Sequence, residues 1–362
     1  MRTLDLMKQH DNWREILTQA PYKLSIKEKG DLVLLKYNQL ESDMDSKIVQ
    51  ECRGVIINVK DMSVVCRPFD KFFNASQPQA ATLIGKIRAE EKVDGSIMKM
   101  YFYQGEWRLA TNGMIDAADA TLQMSSDDVA TYQDLFNVAF AKYVSGDKMA
   151  ELDEWKDYTL IFELVSPINR IVVAYPETDL KLLGIRHNAT GKEIVPRDTS
   201  LARIFKTPNL YDIDTLEQAL EIAKTLGGNE EGFILVDEYF NRVKVKGTEY
   251  LALHKMRSNS YSLKGFLEVV LNDSQDDLVA YFPEYTPFIT DIESKIKQLI
   301  SDIETEISAV QFDADRKEFA LQIKDKPYSS MLFKLYGNAN YDWKGELLNP
   351  DNINRLIRML GL

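Results

Sequence analysis

The stretch Glu90-Glu91-Lys92-Val93-Asp94-Gly95-Ser96 runs directly into the apolar segment Ile97-Met98-Lys99-Met100-Tyr101, and the fold is read outward from it. The apolar half has the length and composition of a strand. In an extended chain Lys92 and Asp94 point to one face, and Gly95 lets backbone come close to a bound ligand. A lysine becomes a nucleophile when neighbouring cations or loss of solvent favour its neutral amine. Taken alone, Lys-x-Asp-Gly is short enough to arise by chance and reads more readily as a solvated turn between two strands.

On both sides of this stretch the apolar runs are short and β-branched. Val55 to Ile57, Ile97 to Phe102, Thr159 to Val165, Ile171 to Tyr175, Phe233 to Val236 and Val243 to Val245 are predicted strands. Before them, a helix is predicted over Thr3 to about Gln19, then a charged hairpin around Lys27 to Asp31. Helices are predicted over Thr131 to Tyr143 and Thr215 to Leu226, the second capped by Asp214 and stopped by Gly227-Gly228. There is no regular βαβ alternation and no GxGxxG, which argues against a dinucleotide-binding domain. Beyond about residue 255 the pattern turns helical, with a turn-like break at Phe282 to Pro287. Ile292, Ile296, Leu299, Ile303, Ile307 and Val310 recur at steps of three and four, which predicts an amphipathic helix over Asp291 to Val310. The expected fold class is α+β: antiparallel sheets flanked by helices over residues 1–255, then an all-α domain over residues 256–362.

The 362 residues carry a formal net charge of −12, which argues against a protein that coats nucleic acid along its length. A local basic cleft remains compatible with that sum. Cys52 and Cys66 make no CxxC pair and read as reduced thiols, and His10, His187 and His254 lack metal-ligand spacing. No signal-peptide pattern and no apolar run near the roughly 18 residues of a membrane span is present, so a cytoplasmic protein away from membranes is expected.

Four further features carry candidate chemistry. Val243-Lys244-Val245-Lys246 alternates, so both lysines lie on one strand face and repel unless an anion lies across them; an exposed edge strand guarded by lysines is the plain reading. Glu163 lies inside the apolar run Thr159 to Val165, where a carboxylate needs a ligand or a cation, Arg170 or Arg186 being the structural choices. Glu230-Glu231-Gly232 opens the strand Phe233 to Val236, a place where hard oxygens can hold a divalent metal or simply be solvated. Glu51-Cys52-Arg53-Gly54 and Arg67-Pro68-Phe69-Asp70-Lys71-Phe72-Phe73-Asn74 combine cations with aromatics, a set able to neutralise phosphate and stack a base.

The order Lys-x-Asp-Gly, acidic apolar strand, Glu-Gly before an apolar strand, then Lys-x-Lys resembles the motif series of covalent nucleotidyltransferases, which DNA ligases, RNA ligases and mRNA capping enzymes share. The segments just quoted, with Pro167-Ile168-Asn169-Arg170-Ile171-Val172 and the tract Lys244 to His254, narrow the resemblance to the RNA ligase 1 family of the T-even bacteriophages, over about residues 35–280. It fades in the last third. The resemblance implies a nucleotidyltransferase domain, ATP as AMP donor, Mg2+ or Mn2+, and single-stranded RNA ends as substrate. Cleaved tRNA anticodon loops are among those ends, no protein partner is required, and the setting is host cytoplasm if a phage encodes the chain.

Residue by residue, the resemblance implies that Lys92 forms a phosphoamide bond with AMP, within a motif that includes Asp94 and Gly95. Glu163 would contact the ribose, Glu231 would serve nucleotide transfer and the metal, and Lys244 and Lys246 would neutralise phosphates. Arg53 and Lys71 match upstream cations of the triphosphate site, Phe73 an aromatic near the nucleotide, and Tyr37 and Tyr250 tyrosines that line it. Asp276-Asp277 resembles an acidic pair that binds a divalent ion. One departure stands out: Asn112, in Ala110-Thr111-Asn112-Gly113, replaces a family lysine, and Lys99 is the candidate to compensate. The stretch Arg242 to Lys264 is the candidate RNA path. Ligases of nicked duplexes and capping enzymes are the neighbouring readings, and each would carry an OB-fold where this chain turns helical. A non-enzymatic nucleotide- or RNA-binding module is the reading from another class.

Overall fold

The computed structural model describes the chain except residues 127–128, 145, 252–262 and 282–284, and side chains are further left undescribed at 123–126, 146–147, 277 and 280–281. Two compact units result, Met1–His254 and Lys255–Leu362.

The first unit is built on three larger sheets, besides a two-stranded pair of Thr121–Ser126 and Val129–Thr131. The amino-terminal sheet is a meander of Ser25–Lys29, Leu32–Lys36, Arg53–Asn58 and Ser63–Cys66, antiparallel throughout. Strand alternation sends Val33, Leu35, Val55 and Ile57 toward Met7, Trp13 and Leu17 of the first helices. Leu32, Leu34 and Ile56 go the other way and pack on Tyr101 and Ala110 of the next sheet. That next sheet, here the Glu163 sheet, runs Glu193–Ile194, Asp179–His187, Tyr158–Val165, Ser96–Tyr103, Glu106–Thr111, again antiparallel. One face (Met98, Met100, Leu160, Phe162, Leu164) buries against Leu135, Phe136 and Ala139 of the helix Tyr132–Phe140. The opposite face carries Lys99 and Glu163.

The third sheet, here the Lys246 sheet, runs Leu210–Tyr211, Arg88–Glu91, Gly232–Val236, Arg242–Lys246, Phe73–Asn74, antiparallel except for its last, parallel pair. Phe233, Leu235 and Val245 pack against Ala219 and Ala223 of the helix Leu216–Ala223. The lysines of Arg242–Lys246 alternate onto the face away from that helix. Lys92 to Gly95 therefore carries the chain from the strand Arg88–Glu91 of one sheet to the strand Ser96–Tyr103 of the other.

The second unit is helical. The helix Thr286–Ser308 buries Ile292, Ile296, Leu299 and Ile303, the apolar stripe read from the sequence. A second helix, Arg316–Ile323, is capped by Asp315, whose carboxylate accepts from the N–H groups of Lys317 and Glu318. No helix among the described residues is long and apolar enough to cross a membrane.

Several sequence expectations need correction. The first helix is two, Arg2–Gln9 and Trp13–Thr18, because His10 turns extended and the polar His10-Asp11-Asn12 supplies no apolar face. Thr215, not Asp214, caps the helix Leu216–Ala223, its hydroxyl accepting from the Gln218 N–H. The predicted strand Ile171 to Tyr175 does not form; its amides bind a carboxylate, as described below. The helix expected from Asp291 starts earlier, at Thr286, with Pro287 in the first turn where a missing N–H does no harm. Residues 282–284 of the predicted break lie outside the described residues.

One glycine ties the amino-terminal sheet to the Glu163 sheet. Gly54 sits at φ +83, and a Cβ there would come within 2.5 Å of Asn112 O and 2.7 Å of Lys99 Nζ. Gly54→Ala combines left-handed strain with overpacking, so urea denaturation should show the first unit destabilised by about 2–4 kcal/mol. A variant as stable as the parent would mean that the two sheets do not meet this closely.

Candidate active site

Lys92 is placed by backbone pairing: its N–H donates to Gly232 O at 2.9 Å, which continues the ladder between Arg88–Glu91 and Gly232–Val236 by one step. Gly232 is at φ +137, and a Cβ there would lie 2.1 Å from Val245 O, so only glycine lets the chain turn here and bring Glu231 inward. The Lys92 Nζ then sits 2.6 Å from Glu231 Oε1, and Lys246 Nζ sits 3.0 Å from the same oxygen. Glu231 and Lys246 are buried, whereas Lys92 keeps 19% of its side chain exposed. Two cations thus share one acceptor, and the less buried one is the amine of the Lys-x-Asp-Gly. Burial by itself would push the Glu231 carboxyl up; the ammonium groups of Lys92 and Lys246 outweigh it and hold the carboxyl below its usual range. Lys246 also stacks over Tyr250, with Nζ 5.4 Å from the ring centroid. Lys244, two residues back on the same face, is half-buried.

Glu163 projects from the centre of its sheet, opposite Ile97. Neither proposed structural partner holds it: Arg186 binds Asp70 at 2.8 Å and Arg170 donates to Val172 O at 2.7 Å. Burial pushes the Glu163 carboxyl up to about 8, against the pull of the Lys92 ammonium. Near neutral pH it is therefore largely a neutral acid, able to donate as well as accept.

Asp94 has a different job from the lysine two residues before it. Its Oδ2 accepts from the N–H groups of Val172 at 2.8 Å and Val173 at 2.7 Å, and its Oδ1 accepts from Tyr250 OH at 2.9 Å. The Asp94 N–H donates to Tyr175 OH at 3.1 Å. Burial and the nearby Glu231 carboxylate raise its pKa. Gly95 beside it permits a close approach, since a Cβ would lie 2.4 Å from Leu164 O.

The upstream cations form a second group. Lys71 Nζ lies 5.0 Å from the Tyr37 ring and 5.6 Å from that of Phe73, and donates to Gln39 Oε1 at 3.1 Å. Arg53 lies 5.1 Å from the Phe72 ring. Lys71, Phe72, Phe73 and Arg242 line a cavity of about 200 Å3. A larger cavity, about 580 Å3, is walled by Trp107, Arg108 and Phe136 and touches none of these lysines, so size does not mark the chemistry.

A model of the RNA ligase family matches residues 51–250, which span every charged group just placed. The chain belongs to the RNA ligase family. Among its relatives is a protein of Autographa californica nuclear polyhedrosis virus, named "Putative bifunctional polynucleotide kinase/RNA ligase", 28% identical over 94% of this chain. The chain spans about half of that protein's length, 51%. An RNA ligase of Rhodothermus phage RM378 is 29% identical, covering 88% of each chain. The fold is also that of an archaeal ATP-dependent RNA ligase, at TM-score 0.52 and 15% identity over 98% of each chain. The nucleotidyltransferase fold class expected from the motif order is the fold of this chain.

Within this family member the structure gathers Lys92, Glu231 and Lys246, and sets Glu163 within electrostatic reach of Asp94 and Arg53. Others stand elsewhere. Asp276 belongs to the helix Gln275–Tyr281 of the second unit, the Asp277 side chain lies outside the described residues, and no cluster of three or more potential metal ligands occurs among the described residues. Of the candidate RNA path, Lys255 and Arg257 lie outside the described residues. Lys99 is fully buried and donates to Gly54 O, so its amine faces backbone. Sequence reading missed Tyr175 and Gln39. A tyrosine closing an irregular apolar run was the available signal for the first; Gln39 offered none.

The Glu163 environment predicts a pH signature. A folded carboxyl raised to about 8 from 4.5 binds a proton that the unfolded chain has already lost. Its contribution to stability is complete below the unfolded value and disappears as pH rises through the folded one. Glu163→Gln mimics the protonated form. Without nucleotide it should match the parent in chemical denaturation at pH 5 and exceed it by roughly a few kcal/mol at pH 9. Parallel stability profiles would mean that Glu163 ionises without penalty.

Proposed function

We propose that this chain is an ATP-dependent RNA ligase that stores AMP on Lys92 and joins 5′-phosphate to 3′-hydroxyl ends of single-stranded RNA. The observation that carries the reading is the shared Glu231 oxygen, 2.6 Å from Lys92 Nζ and 3.0 Å from Lys246 Nζ. In the first step Lys92, its side chain partly open to solvent, loses its ammonium proton to water and the neutral amine attacks the α-phosphate of ATP; the N–P bond forms as the bond to the bridging oxygen breaks, pyrophosphate leaves, and the second amine proton passes to water. Lys244 and Lys246 stand on the face where the negative charge of that transfer develops. Glu231 aims the amine, and positioning for in-line attack is the main protein contribution. In the second step an oxygen of an RNA 5′-phosphate takes AMP from Lys92. In the third, a 3′-hydroxyl displaces AMP and seals the strand.

Glu231, held ionised by its lysines, is a hard oxygen donor of the kind magnesium or manganese takes, and an ion held mainly by phosphate and water needs only one or two such ligands. When bound, the ion supplies further positive charge to the phosphates. Glu163, as a largely neutral acid, suits a ribose hydroxyl. Arg53 and Lys71 are assigned to the outer phosphates, Phe73 and Tyr37 to the nucleotide wall, and Asp94 with Tyr250 to holding that wall in place. Asp276 and Asp277 are a candidate divalent-ion pair within the second unit. The reading extends to a ligase like RNA ligase 1 of the T-even bacteriophages, working in the cytoplasm on cleaved tRNA anticodon loops without an obligatory protein partner, with the helical second unit selecting the RNA.

Incubating the full chain with radiolabelled ATP and magnesium should leave label on the protein in a denaturing gel, and Lys92→Ala should take up none. Label retained by Lys92→Ala would remove that residue from the mechanism. A 5′-phosphorylated single-stranded RNA in the same tube should circularise; sealing only of a nicked duplex, or labelling from GTP in place of ATP, would overturn the substrate assignment.

A further inference from the structure

Asn74 closes the short strand Phe73–Asn74 at the edge of the Lys246 sheet, in parallel register with Lys244. Its backbone is engaged on all sides. The Asn74 N–H donates to Gln77 Oε1 at 2.8 Å, its carbonyl accepts from the Gln77 N–H at 3.0 Å, and the Ala75 N–H donates to Lys244 O at 3.0 Å. Paired residues on neighbouring strands project to the same face, so the Asn74 amide shares the face of Lys244 and, by alternation, of Lys246. The residue is 1% exposed, yet neither Nδ2 nor Oδ1 has a hydrogen-bond partner among the described residues. Native proteins leave few buried polar groups in that condition, and each one destabilises the fold. A residue held this firmly, with both ends of its side chain unsatisfied, is built for something that arrives later.

The chemistry of the amide limits what that is. It offers two N–H donors and a carbonyl acceptor in one plane. Phosphate oxygens only accept, so they would satisfy Nδ2 and leave Oδ1 dry. An amino group beside a ring nitrogen on a base edge, or a ribose hydroxyl, offers donor and acceptor together.

We propose that Asn74 is a nucleotide-selecting residue whose amide both donates to and accepts from the nucleoside part of the ATP bound in the cleft. The assignment rests on the ligase reading above. The bound nucleoside supplies the hydrogen bonds that the free protein lacks, so Asn74 weakens the empty protein and strengthens the loaded one.

Asn74→Ala and Asn74→Leu in the full chain test this with two measurements, thermal unfolding without nucleotide and the KM for lysyl-AMP formation. Both variants should melt at the parent's temperature or above, because an apolar side chain removes two unsatisfied groups. Their KM for ATP should rise roughly tenfold, the order expected from losing two neutral hydrogen bonds, with a smaller effect on kcat. The same ratio is then measured with 2′-deoxy- and 3′-deoxy-ATP and with the triphosphate of unsubstituted purine riboside. It should fall toward one with the analogue that lacks the contacted group, the deoxy sugars for a ribose contact and the purine for a base-edge contact. A tenfold ratio with every analogue would put the amide on the phosphates and overturn the proposal. A lower melting temperature with unchanged KM would make Asn74 a structural residue and overturn it equally. A parent chain that forms no lysyl-AMP would sink the ligase reading itself, and this assignment with it.

Discussion

Two ammonium groups close on one carboxylate oxygen where the Lys246 sheet meets the Lys92–Gly95 crossing. These charges are partly out of water, where they act more strongly than on the surface. Glu163 adds little negative charge near neutral pH, because burial keeps that carboxyl largely protonated. The rest of the first unit can be read as the means of holding that cluster together. The register Gly232↔Lys246 places one cation, the Lys92-to-Gly232 backbone bond places the other, and the kink at Gly232 turns Glu231 between them.

Holding two lysines together also needs a rigid surround, and Asp94 provides part of it. Its carboxylate gathers two backbone N–H groups and a tyrosine hydroxyl from segments distant in sequence, an arrangement that organises irregular backbone much as a cap organises a helix end. Residues 171–175 have a strand's composition, but the amides of Val172 and Val173 go to Asp94 instead of a ladder. The acid of the Lys-x-Asp-Gly is thus a fixture of the wall, and the lysine, ion-paired to Glu231, is the group that reaches the cleft.

Period-2 patterns survived the passage from sequence to structure because each sheet has one face against a helix or another sheet. The alternation of Val243-Lys244-Val245-Lys246 and the apolar strand around Glu163 needed no tertiary knowledge. What stayed hidden were pairings set by register between remote segments: Glu231 with Lys92, Asp94 with Val172 and Val173, Lys99 with Gly54. Boundary errors came from local competition. Thr215 displaced Asp214 as cap because its hydroxyl reaches the Gln218 N–H while the Asp214 N–H itself donates to that glutamine. The composition of residues 171–175 misled because it describes burial and is silent on which acceptor takes the amides.

The formal charge of −12 and the cationic cleft are less opposed than they first look. Long-range attraction to nucleic acid scales with the phosphates neutralised along a surface, and an acidic chain forgoes it. The partly buried cluster of Lys92, Lys246 and Glu231 acts on a charged group only at close range, where it is screened little by salt. Such a distribution favours a chain end, with one phosphate presented at a point, over a continuous backbone.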